Sequence, residues 1–191
     1  MNSEELLWNV LLMVACYFYI GLIIFISGRL NVLLHIPRKV SRKFLHMMIG
    51  NLPFVIPFFT SNIYPTIVAA PFIVLTFLAS PYLPIQLTSD KIRGLVDITE
   101  EGHHLGLVFY AISYTFSAFF FFLKPYIVSA GIMPMAYGDA FASIFGEKYG
   151  KRKYQLLASK SVAGSFAMFI FSFFSFAISL FFLDALSILA F

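Results

Sequence analysis

Asp139 is a lone carboxylate in an apolar run, Tyr137-Gly138-Asp139-Ala140-Phe141-Ala142-Ser143-Ile144-Phe145-Gly146. An ionisable group inside a membrane segment costs at least ~2.5 kcal/mol, so it is rarely kept without a partner or a task. The polar stretch that follows, Glu147-Lys148-Tyr149-Gly150-Lys151-Arg152-Lys153, supplies a cluster of cations beside it. Together they suit a metal-bound, anionic ligand at the membrane edge. Asp139, Ala142, Ser143 and Gly146 stand at i, i+3, i+4 and i+7, a stripe of small and polar residues that lets membrane helices approach closely. Packing explains the small residues and leaves the carboxylate over. Asp139 is therefore read as a metal ligand or a catalytic base, with a purely structural acid as the alternative.

Three further constellations share its side of the membrane. In Arg42-Lys43-x-x-His46 the two cations precede the histidine by four and three residues, so all three share a helix face that Gly50 extends. That face would grip phosphate, with His46 deeper as a base or phosphate contact. Topogenic cations snorkelling to headgroups would give the same pattern. In Lys160-Ser161-x-x-Gly164-Ser165, a helix N-terminus offers free N–H groups and the positive end of the dipole, which suits phosphate. Ser161 is the expected N-cap, Lys160 a point charge, and Gly164 a place of close approach. The loop from Asp90 to Gly106 carries Asp97, Glu100, Glu101, His103 and His104, oxygen-rich chemistry that suits Mg²⁺ or simply a solvated loop.

The elements that position these residues follow from composition. The chain has 191 residues, 60% hydrophobic and 12% charged, with 25 Phe and 10 Tyr. A soluble domain is about 25% charged, so this is the composition of an integral membrane protein. Continuous apolar runs argue for helices rather than a barrel. The expected fold is all-α: a polytopic helical bundle forming one domain over 1–191, with about six spans near 6–28, 44–59, 63–80, 105–122, 125–145 and 161–183. Pro53, Pro57, Pro65 and Pro71 predict that the second and third are kinked or partly re-entrant. Of the 13 Lys and Arg residues, only Lys124 falls on the opposite side from the other loops. The positive-inside rule then places the N-terminus outside and every polar motif in the cytoplasm. The same rule accounts for the net charge of +4 without nucleic acid. Glu4 and Glu5 ahead of the first apolar run argue against a cleaved signal. Cys16 is the sole cysteine, which excludes an intrachain disulfide and a cysteine zinc site. No Walker-type loop, Rossmann turn, nucleophile elbow or His-Glu-x-x-His motif occurs.

Taken together, Arg42-Lys43-x-x-His46-x-x-x-Gly50, Gly138-Asp139-Ala140-x-Ala142-Ser143-x-x-Gly146-x-x-x-Gly150-Lys151 and Lys160-Ser161-x-x-Gly164-Ser165 resemble the dolichol kinase/phytol kinase family of CTP-dependent lipid-alcohol kinases. The similarity covers about residues 38 to 175. It implies transfer of the CTP γ-phosphate to a polyprenol-like alcohol (polyprenol, dolichol, geranylgeraniol or phytol), with Mg²⁺, at the cytoplasmic leaflet. Asp139 would hold the metal or act as base. Arg42, Lys43, Lys148, Lys151, Lys160, Ser161 and Gly164 would bind nucleotide or phosphate, and His46 would be a secondary catalytic candidate. The implied location is a multi-pass protein of the cell membrane in a prokaryote, or of endoplasmic reticulum or plastid membrane in a eukaryote. Two departures stand out. Many members carry Glu where this chain has Ala163, and many continue into a last helix with Gly-x-Asp-Asn; this sequence stops before it, either as a piece with a seventh span beyond Phe191 or as a short variant. Two rivals remain. One is a CTP-using cytidylyltransferase of phospholipid synthesis; the other is a small transporter coupling protons or cations through Asp139.

Overall fold

The computed structural model describes residues 2–35, 37–78, 106–155 and 159–189. The described residues are almost all helical. In chain order they form α1 (Ser3–Leu34), α2 (Arg38–Ile49), a 3₁₀ segment (Leu52–Phe58), α3 (Ile63–Leu78), α4 (Gly106–Phe120) and α5 (Pro125–Met133). A π-helical turn (Pro134–Gly138) leads into α6 (Asp139–Tyr149), a two-stranded ribbon of β1 (Lys153–Gln155) and β2 (Ser159–Ser161), and α7 (Val162–Leu189). Among the described residues, three stretches are long and apolar enough to cross a membrane: Ser3–Leu30, Pro125–Tyr149 and Val162–Leu183. Ile63–Leu78 and Val108–Phe120 are shorter apolar helices.

The expected all-α character holds, with two local differences. The segment read as a second span is divided. α2 has only 12 residues, about 18 Å of helix and too short to cross. It stops at Gly50, and the following Pro53 and Pro57 lack the N–H that an α-ladder needs, so the chain continues as 3₁₀ turns. The polar loop after α6 closes as an antiparallel ribbon pairing Lys153 with Ser161, Tyr154 with Lys160 and Gln155 with Ser159.

The chain divides into two compact units, Met1–Tyr17 with Phe58–Phe122, and Phe18–Pro57 with Leu123–Phe191. In the first, Asn9 makes a two-way bond with Thr60. Its Nδ2 donates to Thr60 Oγ1 at 2.7 Å and its Oδ1 accepts from the Thr60 N–H at 3.0 Å. Asn9 is wholly buried there, so both halves of its amide need these partners. Tyr17 Oη donates to the Ile67 carbonyl at 2.8 Å, and Asn62 Nδ2 to the Phe119 carbonyl at 3.1 Å.

The second unit holds the polar motifs. Ser27 Oγ donates to the Ser41 carbonyl at 2.9 Å and Tyr19 Oη to the Met48 carbonyl at 2.7 Å, fixing α2 against the later part of α1. α6 and α7 pack closely through small residues. The Phe141 and Phe171 rings stack with centroids 3.8 Å apart. A Cβ added at Gly164 would lie 2.9 Å from the Ala142 carbonyl oxygen and 3.2 Å from the Gly146 Cα, so this crossing requires glycine. Helix–helix contact in lipid depends on such backbone approach, because burying apolar surface gains little there. A Cβ at Gly131, by contrast, would meet nothing within 4 Å. Gly164→Ala is expected to cost about 1–3 kcal/mol by overpacking. Gly131→Ala should be neutral or slightly stabilising, since alanine is the better helix former. Thermal melts of the detergent-solubilised protein check both; equal melting points would contradict the tight crossing.

Candidate active site

The site is built where α2 meets the start of α6. Lys43 Nζ lies 2.6 Å from Asp139 Oδ2, a bond between residues 96 apart in sequence. The two sides of this pair differ. The Lys43 side chain is only 10% exposed, whereas that of Asp139 is 51% exposed. The buried cation therefore holds one carboxylate oxygen in place while much of the carboxylate faces outward. A carboxylate in this setting suits a hard cation, which prefers oxygen ligands and takes others from phosphate and water. Equally, it can accept a proton from a bound hydroxyl. Among the described residues, no group of three or more His, Cys, Asp or Glu side chains comes together as a metal cage. The Asp97, Glu100, Glu101, His103 and His104 cluster lies outside the described residues.

The backbone before Asp139 is irregular. Pro134 has no N–H to give the carbonyl of Ala130, and the ladder widens into the π turn over Pro134–Gly138. Asp139, just after this turn, meets Lys43 of α2, and Tyr137 within it meets Asn51. Tyr137 Oη donates to Asn51 Oδ1 at 2.6 Å, just past the end of α2. Gly50 faces Ala136 so closely that a side chain at Gly50 would overlap the Ala136 Cβ. Such π turns are frequent at functional sites.

The expected phosphate residues fall into two groups. Arg42, Lys43 and His46 lie on α2, with Arg42 and His46 half-buried. At the far end of α6, Ser161 Oγ accepts from the Gly164 N–H at 3.1 Å. That is an N-cap, as the sequence implied. Ser161 also lies against the crossing, its Oγ 3.0 Å from where a Gly146 Cβ would stand. Lys148, Lys151 and Lys160 are all exposed. Lys148 Nζ sits 5.4 Å from the centre of the Tyr149 ring, and Lys160 is paired in the ribbon opposite Tyr154. Tyr154 in turn places its hydroxyl 2.6 Å from Ser165 Oγ, tying the ribbon to the first turn of α7. Thus α6 carries the carboxylate at one end and the cationic ribbon at the other, about 15 Å apart along its 11 residues. Two residues with no assigned role emerge beside the carboxylate, Asn51 and Tyr137. The available signal was that Asn51 follows Gly50 and that Tyr137 follows a mid-span proline.

Comparison with known proteins agrees with the motif resemblance. The chain is 27% identical over 158 residues to the phytol kinase of Synechocystis, covering 81% of this chain and 64% of that protein. To phytol kinase 1, chloroplastic, of Arabidopsis thaliana it is 35% identical over 147 residues, covering 73% and 47% respectively. To the probable phytol kinase 1, chloroplastic, of Glycine max it is 31% identical over 140 residues, covering 70% and 46%. The matched region thus spans about half to two thirds of these relatives. No family model matches the chain, and no solved structure matches it.

The ion pair makes a stability prediction. Asp139→Ala removes the carboxylate that the buried ammonium bonds, a loss of roughly 1–3 kcal/mol. Asp139→Asn keeps an oxygen for Lys43 Nζ and should lose less. Melting points should fall in the order wild type, Asp139→Asn, Asp139→Ala. An alanine variant as stable as wild type would show that the pair is not formed.

Proposed function

We propose that this chain, which belongs to the phytol kinase and dolichol kinase family, is a kinase that moves the γ-phosphate of CTP to a lipid alcohol. The observation that carries the reading is Asp139, an outward-facing carboxylate fixed by the buried Lys43. The relatives named phytol kinase support an alcohol acceptor with a long hydrocarbon tail, a class that includes phytol, geranylgeraniol and the polyprenols.

In this reaction the alcohol oxygen forms a bond to the γ-phosphorus while the bond from that phosphorus to the bridging oxygen breaks. CDP leaves and the hydroxyl proton is given up. Little covalent work is asked of the protein; it must position the groups and balance the charge. Lys43 fixes one oxygen of Asp139, leaving the carboxylate to take the hydroxyl proton or to hold Mg²⁺. When bound, Mg²⁺ would neutralise charge on the phosphates. Arg42, with Lys148, Lys151 and Lys160, would grip the triphosphate. Ser161 and Gly164 shape the start of α7, and His46 stands on the Lys43 face as a further phosphate contact or base. Six spans with the N-terminus outside would set these residues at the cytoplasmic leaflet, where CTP and the alcohol's head both reach them. The protein would then be a multi-pass resident of a cell, endoplasmic reticulum or plastid membrane.

The test follows the two ends of the nucleotide. Protein in lipid nanodiscs is given Mg²⁺, a panel of lipid alcohols together with a lipid bearing a phosphomonoester head, and CTP labelled at either the α- or the γ-phosphorus. Label from the γ position should enter the extracted lipid, with α-label remaining in water as CDP. Entry of α-label with release of pyrophosphate would instead make the chain a cytidylyltransferase.

A further inference from the structure

The second unit contains a cavity of about 190 Å³ lined by Asn51, Phe54, Met133, Tyr137, Ser175 and Ile178. We propose that this groove receives the head-proximal part of the alcohol's hydrocarbon chain, and that the side-chain amide of Asn51 seats the hydroxyl. The proposal rests on reading the chain as a lipid-alcohol kinase and adds a binding residue, a positioning residue and a tail site to it.

Three observations define the ligand. First, no charged side chain lines the groove. A carboxylate or phosphate head placed there would lose its hydration with nothing to balance it, whereas an uncharged head would not. Second, the polar lining is already arranged to leave one kind of donor over. Ser175 Oγ donates back to the Ser172 carbonyl at 3.1 Å, and Tyr137 Oη donates to Asn51 Oδ1 at 2.6 Å. The Nδ2 hydrogens of Asn51 have no partner among the described residues. An alcohol oxygen can accept from them and still present a lone pair to phosphorus. Third, the remaining wall is Phe54, Met133 and Ile178, with Phe54 held edge-on to Phe182 at 5.0 Å. Apolar walls with one or two convergent polar groups are the usual form of a site for a greasy ligand.

Size and place fit this occupant. The cavity has the space of about six water molecules, enough for the first few carbons of a chain. The rest of the chain would lie outside it. Asn51 follows the helix that carries Lys43, and Tyr137 precedes Asp139 by two residues in the same turn. The groove's polar edge and the ion pair are therefore set by the same two segments. Asn51 would bind the hydroxyl; Tyr137, whose hydroxyl donates to Asn51 Oδ1, would orient its amide so that the donor side faces the groove.

The experiment uses the intact protein without nucleotide and a long-chain alcohol bearing a diazirine a few carbons from the hydroxyl. After irradiation, adducts are mapped by peptide mass spectrometry. They should fall on Phe54, Met133 or Ile178 and be competed by unlabelled alcohol but not by the matching carboxylic acid. Ile178→Trp, which fills the groove, should reduce them at least about fivefold. Adducts elsewhere, or a yield that neither competitor nor Ile178→Trp changes, would overturn the groove. A gentler variant covers the case in which tryptophan impairs folding. Tyr137→Phe removes one hydroxyl and should raise KM for the alcohol by about five- to tenfold with kcat and the CTP KM unchanged. An unchanged alcohol KM would remove Tyr137 and Asn51 from acceptor binding. Because labelling needs no phosphate donor, the two readings fail separately. Phosphoryl transfer with adducts elsewhere sinks the groove alone, and groove adducts without transfer sink the kinase.

Discussion

The bond between Lys43 and Asp139 is the constraint on which the site depends. A lysine with only a tenth of its side chain exposed is costly in an apolar helical unit unless a counter-charge meets it. Asp139 is that counter-charge, and the geometry leaves its carboxylate half open. The pair is thus lopsided in a useful way. The protein shields the cation and presents the anion, so the group left facing a ligand is the one that can hold a metal or take a proton. Symmetric burial would have made a structural bridge with no chemistry to offer.

Several backbone features maintain that bond. Pro134 opens the π turn that leads into Asp139. Gly50 allows the end of α2 to touch Ala136 there, and Gly164 allows α7 to lie on the backbone of α6. Each is a close approach that a side chain would prevent. The Ser161 cap and the Tyr154–Ser165 contact then hold the cationic ribbon at the other end of α6. One helix spaces a carboxylate from a set of lysines by about 15 Å, a separation that flexible lysine side chains and a triphosphate can bridge together.

Much of this was legible in the sequence. Continuous apolar runs gave helices, a lone acid in such a run marked Asp139, and a serine three residues before Gly164 marked the cap. Motif spacing led to the kinase family. The partner of Asp139 was not legible. Lys43 is 96 residues away, and its sequence context fitted a phosphate contact or a topogenic charge equally well. Helical periodicity is local and cannot report which face meets which. The break in α2 was blurred for the same reason. Hydropathy continues through Gly50 and Pro53 while the hydrogen-bond ladder does not. The ribbon was hidden because Lys153 to Ser161 reads as polar loop by composition; its pairing is a property of two short strands and the helices at either side. The Asn51–Tyr137 contact joins residues 86 apart in the chain, and local sequence does not report it.

The measurement that bears most directly on this account is the turnover of Asp139→Asn. The substitution keeps the shape of the side chain and an oxygen for Lys43, and removes the charge that a metal or a hydroxyl proton requires. With folding verified by its melting profile, the variant should lose phosphoryl transfer to the lipid alcohol by at least about a hundredfold. Near-normal transfer by the folded variant would contradict the account and take Asp139 out of the chemistry.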